Sequence, residues 1–240
     1  MWTSMNEGVD MRRIMGYSDF LPALREAGFS VGSGQNKENM YSVLQWGWGE
    51  EPPYPTPVQW FSGDDETDPW SWHMRVLAER PRIGYGKVFF RKAGYITEEY
   101  APYFLAVRRV KSFAQAYADG EMSAMAKRIY DAVDDGGDVP VHILKQIIGF
   151  TREEKSAFDR TLIELQMKMF ITISGSAQRY ANYDGWASTV FSTAERFWGG
   201  DVFMRAKAMD AQKAMDMLLA RVAALSPAAE RKKAEKFIRG

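Results

Sequence analysis

Residues 121–135, Glu121-Met-Ser-Ala-Met-Ala-Lys-Arg-Ile-Tyr-Asp-Ala-Val-Asp-Asp135, set Met122, Met125, Ala126, Ile129, Tyr130 and Val133 on one stripe at helical spacing. Gly136-Gly137 breaks that stripe. Pro140 then opens a new segment where a missing N–H costs little, and Val141, Leu144 and Ile147 carry a short second helix up to Gly149. Thr151-Arg-Glu-Glu154 has the spacing of a capping box and starts a third helix, with Phe158, Leu162, Leu165 and Met169 as its buried stripe. Phe170-Ile-Thr-Ile-Ser174 changes to strand-favouring residues, Gly175-Ser176 reads as a turn, and Gln178 to Tyr183 reads as the returning strand. Three helices followed by a hairpin predict a helix-turn-helix with a wing, within an α+β and predominantly helical chain.

A winged helix inserts its third helix into the major groove and touches flanking backbone with the wing. With Phe158 facing the core, a rotation of about 100° per residue turns Arg160, Ser156 and Glu153 outward, with Arg152 and Ile163 near the same edge. Arg152, Ser156 and Arg160 are therefore the candidate base or phosphate contacts, Gln178 and Arg179 lie on the wing, and Lys155 falls nearer the buried side. Against this, residues 121–180 hold eight cations and nine anions, and a nucleic-acid footprint is ordinarily basic. Winged helices also serve as protein-docking or structural units.

Outside the helical core the charge is uneven. Glu50, Glu51, Asp64, Asp65, Glu66 and Asp68 form an acidic block, whereas residues 75–111 carry nine cations against three anions. Within that basic stretch Arg82 to Arg91 reads as a strand or hairpin, and Lys87, Arg91 and Lys92 are further candidates for nucleic-acid contact. Residues 45–72 contain Trp46, Trp48, Trp60, Trp70 and Trp72 among five prolines, which excludes a long helix or central strand and predicts an ordered aromatic loop. Such rings commonly bury an irregular connection, and they can also stack a planar ligand.

Upstream, Ser18 is a candidate N-cap for a helix that Gly28 ends. Asp68 or Ser71 can cap a helix to about Glu79, and Tyr100, Tyr103, Phe104 and Val107 stripe another that ends at Arg108-Arg109. Residues 111–120 form a short helical connection. Downstream, Asp184-Gly185-Trp186 reads as a turn, Ser192 to Glu195 starts a capped segment ending at Gly199-Gly200, and Asp210 to Leu225 forms a helix. The tail from Pro227 is a net-basic stretch, equally a solvated helix face. The expected division is 1–118 as a helical and irregular region with a basic hairpin, 119–185 as the winged helix, and 186–240 as a helical extension.

The chain has no cysteine, so thiol catalysis, disulfides and cysteine-ligated metals are excluded. His73 and His142 are the only histidines and fall on different elements, so no metal site and no cofactor is expected. The Asp64 to Asp68 string lacks the glycine and terminal glutamate of a calcium loop. No secretory leader or membrane span is legible, which predicts a cytoplasmic protein with no membrane partner.

Four stretches carry a family resemblance: Tyr85-Gly-Lys-Val-Phe-Phe-Arg-Lys92, Tyr100-Ala-Pro-Tyr-Phe104, Ser123-Ala-Met-Ala-Lys-Arg-Ile-Tyr130 and Phe158 to Gln166. In that order the chain resembles the AlkZ-related winged-helix proteins, relatives of the bacterial AlkZ (YcaQ-like) DNA glycosylases. The resemblance implies tandem winged helices, DNA as partner, and recognition or excision of alkylated bases. It also implies a Gln-x-Gln motif that positions water, yet no two glutamines here stand two apart. For a glycosylase the substitute candidates are Asp64, Asp65 and Glu66, since cleavage at a sugar building positive charge favours a nearby carboxylate. The alternative is a non-enzymatic winged-helix regulator or adaptor with a ligand or partner site in the Trp-rich segment.

Overall fold

In the computed structural model, residues 12–34, 36–79, 82–178 and 187–240 are described. The first half runs α1 (Tyr17–Ala27), β1 (Phe29–Val31), α2 (Pro69–Glu79), β2 (Ile83–Phe89), β3 (Lys92–Thr97), α3 (Ala101–Arg108) and α4 (Phe113–Ala118). The second half runs α5 (Ala124–Gly136), β4 (Val139–Pro140), α6 (Val141–Ile147), a 3-10 turn (Arg152–Glu154), α7 (Lys155–Met167), β5 (Ile171–Ala177) and β6 (Ser188–Thr193). Helices α8 (Ala194–Trp198), α9 (Gly200–Lys207), α10 (Ala211–Leu225) and α11 (Arg231–Arg239) complete it. The class is α+β. Six antiparallel strands in the order β1-β3-β2-β5-β6-β4 make one sheet, so strands from both ends of the chain share a single hydrogen-bonded layer.

Helices α5, α6 and α7 and strands β5 and β6 enclose one core around Ala126, Ile129, Val133, Leu144, Phe158 and Leu165. The capping box at Thr151 is formed: Glu154 Oε2 accepts from the Thr151 N–H at 3.0 Å. Arg128 of α5 also donates to Glu154 at 2.6 Å, which ties the cap to the first helix of the group. At its far end α7 closes in a Schellman pair, Phe170 N–H to Leu165 O at 2.8 Å and Met169 N–H to Gln166 O at 2.9 Å. Met169 takes the left-handed conformation (φ +56°) in which glycine is usual, and its side chain is buried.

Several expectations are corrected. Gly175-Ser176 is not a turn but part of β5, at a register shift that a bulge explains: Ile173 pairs with Phe191 and Gly175 with Val190. The partner strand is Ser188–Thr193, not residues 178–183. Residues 179–186, which include Arg179 and the expected Asp184-Gly185-Trp186 turn, lie outside the described residues. Thr193 both ends β6 and caps α8, accepting from the Arg196 N–H; α8 ends at Gly199 as expected, and a further helix, α9, starts directly at Gly200. Gly16, not Ser18, occupies the N-cap of α1.

The two halves of the sheet meet where Tyr85 of β2 opposes Ile173 of β5. Two close fits hold that seam. A Cβ on Gly84 would come within 2.5 Å of the Trp198 ring, so only glycine lets α8 lie against β2. Gln166 of α7, itself buried, accepts from the Lys87 N–H at 2.9 Å and donates to Leu162 O at 2.8 Å, which joins the third helix to the hairpin. Among the described residues no helix is long and apolar enough to cross a membrane.

Candidate nucleic-acid interface

The outer face of α7 and its preceding turn is exposed as the helical rotation predicts: Arg152, Glu153, Ser156 and Arg160 all face solvent. Arg160 Nε donates to Ser156 O at 3.2 Å, which lays its side chain back along the helix. Lys155 corrects the expectation that it lies nearer the buried side. It is exposed and pairs with Asp159 one turn on. Gln178 is exposed immediately after β5. Arg91, in the β2–β3 turn, lines a groove together with Arg160, so the structure brings one member of the hairpin set beside one member of the helix set.

The basic stretch 75–111 is far less available than its count suggests. Arg75 pairs with Glu66 (3.1 Å) and Glu79 (2.7 Å), Arg82 with Glu98 (2.7 Å), Lys92 with Glu38 (3.6 Å), and Lys111 with Asp119 (2.7 Å) and Glu121. Arg109 pairs with Glu195 and lies against the Phe170 ring. Arg108 donates to the carbonyls of Ile238, Val88, Met167 and Phe237 at 2.7–2.9 Å. Burial lowers its pKa to about 9, and the four carbonyl acceptors hold the guanidinium charged at neutral pH. Of the hairpin candidates, Lys87 and Arg91 are the exposed cations without an ion pair among the described residues.

The loop carboxylates have local work. Asp64 accepts from the amides of Glu66 and Thr67 and from the Thr67 hydroxyl, which lowers its pKa. Glu66 accepts from the Ser18 amide and pairs with Arg75, with the same effect. Asp65 is exposed, and its backbone carbonyl, not its carboxylate, receives Arg75. Asp68 is buried and accepts from Phe61, Gly63 and Trp70 amides, so it fastens the loop to the start of α2.

The Trp-rich segment divides by burial. Trp46 and Trp72 are core, while Trp48, Phe61 and Trp70 are exposed and touch in series, with ring centroids 5.9 and 5.2 Å apart. Phe61 holds a left-handed backbone (φ +60°), unusual for so bulky a side chain. His73 lies between Trp70 and Tyr85, and burial lowers its pKa. A separate cleft of about 1130 Å³ opens between α1, residues 36–53 and the end of α10, with Tyr41, Trp46, Glu26 and Arg221 in its walls. Sequence reasoning missed this cleft because its walls come from segments almost two hundred residues apart.

A family model described as AlkZ related matches residues 14–239. No curated protein and no solved structure matches the chain.

Proposed function

The chain belongs to the AlkZ-related family, and from that membership we propose that it is a DNA-binding protein whose segment from α5 to β6 acts as a winged helix. In this reading α7 enters the major groove with Arg152, Ser156 and Arg160, the β5–β6 ribbon with Gln178 at the end of β5 is the wing, and Lys87 and Arg91 touch adjacent backbone; Arg179, the other expected wing contact, lies outside the described residues. The observation that carries it is the outer face of α7. Its arginines are exposed and without an ion pair among the described residues, Arg160 donating only to a carbonyl of its own helix, whereas most other cations of the basic stretch are bound to carboxylates or to carbonyls of other elements. Charge neutralisation by such groups releases counterions, so affinity falls steeply with salt.

The proposal extends to recognising or processing alkylated bases. Since the Gln-x-Gln pair is missing, a glycosylase would draw on the loop carboxylates, and Asp65 is the one among Asp64, Asp65 and Glu66 with its side chain unengaged among the described residues. The test is fluorescence anisotropy with duplex, single-stranded and alkylated oligonucleotides at about 50 mM salt and upward, followed by a search for abasic sites in the alkylated duplex. Binding with a negative salt slope is expected. No binding to any of the three at low salt would end the proposal, and abasic sites that persist undiminished in Asp65→Asn would remove the carboxylate from it.

A second reading has its own observation. The exposed series Trp48, Phe61 and Trp70, held by Asp68, and the cleft walled by Trp46 favour a non-enzymatic regulator or adaptor with a ligand or partner site in the Trp-rich segment. A dose-dependent rise in melting temperature with one metabolite or nucleotide, and no DNA binding, is what that reading expects.

A further inference from the structure

We propose that the groove between the β2–β3 turn, the start of α5 and α7 is a clamp for one backbone phosphate, with Arg91 and Arg160 as its jaws. The inference rests on the nucleic-acid reading above and narrows it to a single subsite. The groove measures about 580 Å³, and Arg91, Arg160, Lys168, Ser123, Thr161 and Glu164 are among its walls. Three residues with cationic side chains thus line the groove with one that carries a carboxylate side chain, Glu164, and Glu164 is already paired with Lys168 at 3.3 Å. Lys168 also donates to Glu121 O at 3.2 Å, so the charge without a carboxylate partner is that of Arg91 and of Arg160, which spends only its Nε–H, on Ser156 O. Ser123 caps α5 by accepting from the Ala126 N–H, and the positive end of that thirteen-residue helix adds to the field at the groove mouth.

The turn that carries Arg91 is the independent observation. Phe89 pairs with Lys92, leaving Phe90 and Arg91 as a two-residue loop with φ of +49° and +64°. That geometry is the natural place for Asn-Gly, and other residues hold it under strain. Phe90 has a return for its strain, since its ring packs 5.9 Å from Phe237. Arg91 has none: it is exposed and has no hydrogen bond or ion pair among the described residues. Strain without an internal return marks a position set for a ligand. A fork of guanidinium donors on either side of a groove suits a phosphate oxygen pair.

The test uses the full chain and Arg91→Gly, which removes the charge and relaxes the turn together. Two opposite changes are expected: a melting temperature higher by about 2–4 °C, and duplex DNA affinity weaker by roughly three- to tenfold with the slope of log K against log salt shallower by about 0.9. Arg91→Lys should recover most of the slope and less of the affinity, because a point charge replaces a fork. If the wild type binds DNA and Arg91→Gly binds it with unchanged affinity and slope, the clamp is overturned while the nucleic-acid reading stands. If the wild type binds no DNA, thermal shift with inorganic pyrophosphate separates the remaining cases. A rise present in the wild type and absent in Arg91→Gly leaves a site for free phosphate and ends only the nucleic-acid reading. No rise in either ends both, and a rise with an acidic peptide alone assigns the groove to a protein partner and overturns the clamp.

Discussion

Arg108→Ala is expected to be among the most damaging single changes in the protein. The Arg108 guanidinium draws together four carbonyls from three separate elements: Phe237 and Ile238 of α11, Val88 of β2 and Met167 of α7. It also lies 5.0 Å from the Phe104 ring centroid and 5.5 Å from that of Phe89. Hydrogen bonds from a charged donor contribute about 1.5–3 kcal/mol each, but four on one group are far from additive. Removing them leaves carbonyls short of a donor in a site water enters poorly, and breaking a buried charged network costs about 3–5 kcal/mol. We take about 4 kcal/mol, a large share of a total near 5–15 kcal/mol, which for a chain of this size lowers the melting temperature by roughly 8–16 °C. Urea unfolding followed by tryptophan fluorescence measures it, with Arg108→Lys expected to lose about half as much because three donors on a point charge cannot span four acceptors. A loss below about 1 kcal/mol in Arg108→Ala would refute the view that this arginine is a structural tie, and would return it to the basic surface.

Gly84→Ala should destabilise by about 1–3 kcal/mol, since its Cβ would meet the Trp198 ring at 2.5 Å and α8 is fixed beneath the seam of the sheet; a urea midpoint equal to wild type would mean that Trp198 moves aside freely. His73 gives a pH dependence with a defined sign. Burial holds its imidazole below the ordinary 6.5, and the Trp70 and Asp68 contacts only partly offset this, so below 6.5 the unfolded chain binds more protons than the folded one. Its contribution is therefore complete above that pH and is lost as pH falls from 6.5 toward the lower folded value. Urea midpoints at about pH 7.5 and 5.5 should differ more in the wild type than in His73→Phe, and equal differences would place the titration elsewhere.

The chain from Ser123 to Ile171 was legible because local chemistry and tertiary packing agree there. The stripe on α5 stops at Gly136 as its glycine pair requires, and the Thr151–Glu154 box forms where its spacing put it. Legibility failed where one residue does two jobs. Thr193 is at once the last residue of β6 and the cap of α8, so its capping chemistry hid the strand it ends. Gly199 is both the end of α8 and the start of α9, and α9 buries only Val202 and Ala206, too short a stripe to read. Residues 36–68 carry no period at all. They are held by side chains that cap backbone, such as Asn36 on Met40 and Asp68 on Phe61 and Gly63, and such bonds have no signature in hydrophobic spacing.

Charge was the least transferable reading, for a reason that bears on the function. A count along residues 75–111 treats every cation as surface, yet Arg108 and Arg109 turn inward onto carbonyls of α11 and of Met169, and Arg75 and Arg82 each answer a carboxylate from outside the stretch, Glu66 and Asp201. With Lys92 and Lys111 also held by carboxylates, the described cations of the stretch then left are Lys87 and Arg91, neither in an ion pair, and both stand beside α7: one through its amide on Gln166, the other lining a groove with Arg160. The net charge of the stretch thus overstated the size of the basic surface. What remains among the described residues is small and sits next to the outward face of α7, so the proposed nucleic-acid contact would depend on a few placed arginines rather than on a field. Its affinity should then respond strongly to single substitutions, with a salt slope corresponding to only a handful of phosphates.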